Sequence, residues 1–126
     1  MSTASYTIDD GHLISANTLA GLTLFDRGGD KLGVIKELFV NKLTGQVEFV
    51  LGATGGFLGV GEKFHPLPWG LLTYNPTPEG YVVAVGRDEI RAAPAYDRDQ
   101  LTSTNYSWGD QVHRYFSGLK RGPGPA

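Results

Sequence analysis

The chain contains no cysteine, which excludes disulfides, thiolate nucleophiles and cysteine-ligated zinc. Methionine occurs once and histidine three times, against eighteen glycines. That balance suits a turn-rich β protein better than a helical bundle. No run approaches the roughly 20 apolar residues that span a bilayer, so no transmembrane segment is expected. The polar start, Met1 to Asp10, lacks a basic stretch followed by an apolar one, so no signal peptide is read. With these absences the expected location is cytoplasmic. Charge is also scarce: 11 Lys and Arg against 13 Asp and Glu give a net charge of -2. Bulk attraction to nucleic acid or anionic lipid is therefore disfavoured. What remains is 126 residues, enough for one domain that buries roughly two-thirds of its unfolded surface.

Residues 1–11 read as a flexible lead-in, and Leu13 to Ala16 as a short edge strand before a turn over Asn17 to Gly21. Leu22 to Phe25 precedes Asp26-Arg27-Gly28-Gly29-Asp30, a hairpin signal. In the next strand, Leu32 to Val40, Ile35 and Leu38 stand three apart and break the two-residue period. Either a bulge near Lys36-Glu37 restores one inward face, or both faces are covered. A turn at Asn41 to Gly45 leads to the clearest strand, Gln46 to Ala53, where Val47, Phe49 and Leu51 share a face. Phe64 to Pro68 must be an edge or corner, because each proline removes a ladder donor. A turn and strand follow over Trp69 to Tyr74, then a loop at Asn75 to Gly80 and a strand over Tyr81 to Val85. Asp88 is placed to cap a short helix, Glu89 to Ala93, that Pro94 stops.

Residues 98–119 divide into a polar linker and a helix, and 120–126 read as a disordered tail. Ser107 and Asp110 fit a capping-box variant. Trp108, Val112, Tyr115, Phe116 and Leu119 fall on one helical face. Such a stripe packs either on the chain's own barrel, its commoner fate, or on a partner.

The chemistry motifs fail when tested. Gly56 and Gly61 have the spacing of a phosphate loop, but Glu62 stands where Lys is required. The dinucleotide fingerprint lacks its third glycine. His12, His65 and His113 show no metal-ligand spacing, and no nucleophile elbow occurs. Asn105-Tyr106-Ser107 is a sequon without a secretion signal. No catalytic, cofactor or metal residue is selected, and the expectation is a non-enzyme.

Several segments in order resemble the PRC-barrel family. They are Leu19-Ala20-Gly21, Gly33 to Asn41, Thr44-Gly45-Gln46-Val47, the Gly55 to Gly61 turn leading into Phe64-His65-Pro66-Leu67-Pro68-Trp69, and Ile90 with Ala93-Pro94-Ala95-Tyr96. The resemblance implies a mainly β fold: a small barrel of about six strands over residues 12–97, a short helix, a C-terminal amphipathic helix and no catalytic residues. The family includes the cytoplasmic domain of the photosynthetic reaction-centre H subunit, which packs on membrane subunits. It also includes the barrel of a ribosome maturation factor. Neither the former's membrane helix nor the latter's additional N-terminal domain is read in these residues, so neither role is the leading expectation. The leading expectation is a non-enzymatic interaction module, homodimeric, with a protein partner that could belong to a membrane-associated complex. Trp108, Val112, Tyr115 and Phe116 then contact the other subunit or brace the surface that does. The alternatives are an RNA- or ribosome-assembly adaptor and a small-ligand barrel with a pocket near His65, Trp69 and Tyr74.

Overall fold

A computed structural model describes residues 11–53, 64–102 and 107–119. Six strands form one sheet: β1 (Thr23–Phe25), β2 (Lys31–Val40), β3 (Val47–Ala53), β4 (Pro66–Pro68), β5 (Leu72–Pro76) and β6 (Glu79–Val83). Their order is β4-β3-β2-β1-β6-β5, with β1 and β6 parallel and every other pair antiparallel. The two outermost strands, β4 and β5, are joined by a single 3₁₀ turn, Trp69–Leu71. In a flat sheet, steps of about 4.8 Å would put them roughly 24 Å apart. A three-residue 3₁₀ turn spans only about 6 Å. The sheet therefore rolls into a half-barrel whose edges meet at this corner.

The long hairpin β2–β3 carries the predicted bulge. Ile35 pairs with Gly52, Glu37 with Leu51 and Leu38 with Val50, so Lys36 and Glu37 together oppose one residue. Ile35 and Leu38 thus share a face. Both faces are also covered, since Phe49, Val50 and Leu51 are all buried. Val50 faces the side of Leu38, and Phe49 faces the side of Phe39, its ladder partner.

Four helices complete the described fold: α1 (Ala16–Leu19), α2 (Arg87–Arg91), α3 (Arg98–Thr102) and α4 (Trp108–Gly118). Leu101 of α3 and Trp108, Val112 and Phe116 of α4 join Leu24, Ile35, Val50, Leu67, Val83 and Ile90 in one hydrophobic cluster. The amphipathic stripe of α4 is therefore buried on the chain's own sheet.

Several local expectations are corrected. Leu13 to Ala16 is not a strand: the Ser15 hydroxyl accepts the Asn17 N–H at 3.2 Å and starts α1, leaving Leu13 exposed. The Asn75 to Gly80 loop shrinks to two residues, because the pairing runs on to Pro76 and Glu79 around a cis Thr77–Pro78 bond. The last strand stops at Val83 rather than Val85. Helix α2 starts earlier than expected. Its cap is Gly86, whose N–H donates to the Glu89 carboxylate at 2.7 Å, and Asp88 lies inside the helix. Ser107 makes no side-chain cap to α4. The polar linker holds a helix of its own, α3, capped reciprocally: the Gln100 N–H donates to Asp97 Oδ1 at 2.7 Å and the Asp97 N–H to Gln100 Oε1 at 2.9 Å. The glycine-rich turn and the sequon asparagine lie outside the described residues.

Candidate docking surface

The surface is built from the turn between β2 and β3 and from the helices that cover that hairpin. Asn41 organises the turn. Its side-chain oxygen accepts the N–H groups of Leu43 (2.9 Å) and Thr44 (3.1 Å), and its carbonyl accepts the Gly45 N–H at 2.7 Å. Gly45 takes φ 80°, a left-handed conformation that a glycine adopts without a Cβ penalty. The turn is therefore tightly held, and it presents Leu43 outward at 90% exposure with Val40 beside it at 52%.

Behind the turn, Trp108 anchors α4. Its rings meet Phe39 edge-on at 5.1 Å and Phe49 at 5.0 Å, and its indole N–H donates to the Leu101 carbonyl at 3.2 Å. Both halves of this amphipathic side chain are thereby satisfied. Arg98 of α3 pairs with Glu37 at 2.5 Å and lies 5.5 Å from the centre of the Phe64 ring. The Tyr115 hydroxyl donates to the Glu89 carbonyl at 2.7 Å, tying α4 to α2. Between turn and helix lies a cavity of about 710 Å³, with Leu38, Phe39, Phe49 and Trp108 in its apolar lining and Lys42, Leu43 and Glu48 also along it. A second, more polar hollow of about 440 Å³ lies between Tyr96, Gln100 and the first turns of α4. Part of its polar lining is engaged already, since the Tyr96 hydroxyl donates to Gln111 Oε1 at 2.5 Å.

Of the helix residues singled out in the sequence, Trp108, Val112 and Phe116 are buried and Tyr115 is half-buried. Trp108 lines the groove, Val112 and Phe116 lie behind it in the cluster, and Tyr115 keeps part of its surface outward. Trp69 and Tyr74 flank Tyr81, at 5.2 and 5.5 Å, whereas His65 is buried beside Ala93 and Pro94. The Tyr74 hydroxyl donates to the Glu79 carboxylate at 2.6 Å, which raises its pKa.

Leu43 and Val40 escaped the sequence reading. The signal was present: Leu43 is the apolar residue inside the otherwise polar turn Asn41-Lys42-Leu43-Thr44-Gly45, where binary patterning asks for a polar one. Among the described residues no group of three His, Asp or Glu side chains is arranged to hold a metal ion, and no helix is long and apolar enough to cross a membrane.

No curated protein matches the chain. The PRC-barrel domain family matches residues 11–98, in agreement with the rolled six-stranded sheet, and the chain belongs to that family.

Proposed function

We propose that this protein is a non-enzymatic docking module, homodimeric, that acts in assembly through its surface. One observation carries the reading. Trp108 and Phe116 of α4 are committed to the interior and Tyr115 is half-buried, yet the tightly held β2–β3 turn keeps a leucine almost fully exposed beside an apolar groove. Folding alone gains nothing from that arrangement, because an exposed leucine buries no surface. Binding does gain, since a preorganised apolar contact loses little conformational entropy on association. Burial of most large apolar side chains within one cluster gives the surface a firm backing. The reading is consistent with the family resemblance, which includes a reaction-centre domain that packs on membrane subunits and the barrel of a ribosome maturation factor. Sedimentation of the full chain tests it: a dimer is expected at high micromolar concentration, and a strict monomer there would reject the self-association.

A further inference from the structure

We propose that the groove beside the β2–β3 turn receives Leu43 of a second copy of this chain, and that the exchange is reciprocal about a two-fold axis. The inference rests on the docking reading above and names its partner and its contact residues.

Three observations lead to it. First, knob and hole share one patch. Leu43 projects from the turn at 90% exposure, and the groove with Phe39, Phe49 and Trp108 in its lining opens next to it. A two-fold axis brings the same patch of both copies together, so each knob can meet the other's hole. The hydrogen bonds from the Leu43 and Thr44 N–H groups to Asn41 fix the turn backbone that carries Leu43 at the rim of the groove.

Second, the charges suit the exchange. Lys42 stands beside the knob, and Glu48 lies on the groove lining. Neither has an ion pair among the described residues; Glu48 holds only the Asn41 amide, at 3.3 Å, whereas Glu37 is already matched by Arg98. A two-fold approach can set each Lys42 against the partner's Glu48, so the ion pair forms twice. A purely acidic or purely basic partner would satisfy one charge and oppose the other.

Third, the strand edges are poorly suited to the alternative of sheet extension. On β4, Pro66 and Pro68 have no N–H to donate. On β5, the Leu72 N–H is taken by the Trp69 carbonyl, and Pro76 has none. Edges of this kind discourage pairing with another chain. Those edges favour association through side chains, such as those at the β2–β3 turn, over sheet extension.

Sedimentation equilibrium on the full chain and three variants tests the proposal, with circular dichroism to confirm folding. Leu43→Glu alters a side chain that buries almost nothing in the monomer, so the fold is retained. It should weaken the dimer by at least about a hundredfold, because the two-fold removes two leucine contacts from each dimer. Lys42→Glu should weaken it several-fold, most at low salt, and Lys42→Glu with Glu48→Lys should restore it. A wild-type dimer that persists unchanged in Leu43→Glu overturns this surface and leaves the homodimer reading standing. A charge swap that fails to restore association overturns the reciprocal pairing. A wild-type monomer at high micromolar concentration overturns both readings.

Discussion

At His65 two influences oppose. Burial lowers the imidazole pKa below its ordinary 6.5, and the carbonyls of Pro94 and Ala93 raise it, with burial the larger. Those carbonyls favour a protonated ring, yet Nδ1 is left without a hydrogen bond. Below pH 6.5 the unfolded chain takes up a proton that the folded chain resists, so stability is full above that pH and declines as pH falls toward the folded value. Urea midpoints should drop between about pH 7.5 and about pH 5.5 in the wild type, and His65→Leu should flatten that drop. Equal slopes in both proteins would reject a role for this histidine. Asp26 adds a loss at lower pH. Hydrogen bonding from the Asp30 and Gly28 N–H groups, assisted by Arg87, holds its carboxyl below the ordinary 3.8. Two glycines make a sharper contrast. A methyl on Gly80 would collide with the Thr23 carbonyl oxygen and come within 2.7 Å of the Phe25 ring. Gly80→Ala should therefore cost roughly 2–4 kcal/mol in chemical denaturation, as overpacking against backbone does. On Gly109 the nearest atoms, in the Phe49 ring, lie at 3.4 Å, an ordinary contact. Gly109→Ala should change stability by no more than about 1 kcal/mol, the scale of its helix-propensity gain.

Helix α4 is where sequence periodicity was most informative and least sufficient. The spacing of Trp108, Val112, Tyr115 and Phe116 gave the helix and its apolar face correctly, because one face of a 3.6-residue period is a local property. What covers that face is a tertiary property, and the stripe alone left the chain's own sheet and a partner both open. Phe116 is 2% exposed inside the cluster, so Phe116→Ala should cost about 3–5 kcal/mol in thermal or urea unfolding. Helix α3 shows the reverse. Its capping signal, Asp97 with Gln100 three residues on, was legible but sat in a polar stretch, and Leu101 is the one buried residue of the helix Arg98–Thr102. Asp97→Ala should lose about 1 kcal/mol, the usual value of an N-cap. The bulge was readable for a different reason: a broken two-residue period has few remedies, and the observed pairing uses one of them. The groove was not readable, since it exists only where the turn of one hairpin meets α3 and α4 from later in the chain.

The family match ends at residue 98, but the hydrophobic cluster does not. Leu101, Trp108, Val112 and Phe116 all lie beyond that limit, and each is 5% exposed or less. Burying a large apolar side chain contributes roughly 1.5–3 kcal/mol, so the four together contribute on the order of 6–12 kcal/mol as an upper estimate. That is comparable with the whole stability of an ordinary domain, about 5–15 kcal/mol. The partners left behind would suffer as well. Phe39 and Phe49 would lose the Trp108 ring between strand and helix, and the β2–β3 face would open to water. Tyr115 also ties α4 to α2 within the matched segment, so the helix holds more than the hairpin it covers. The folding unit should therefore be longer than the family domain. A fragment of residues 11–98 should lack the cooperative thermal transition of the full chain and expose apolar surface to a fluorescent probe. Adding residues 99–119 should restore one sharp transition. A fragment that melts cooperatively within a few degrees of the full chain would instead show that the β-barrel segment stands alone and that α4 is an attachment to it.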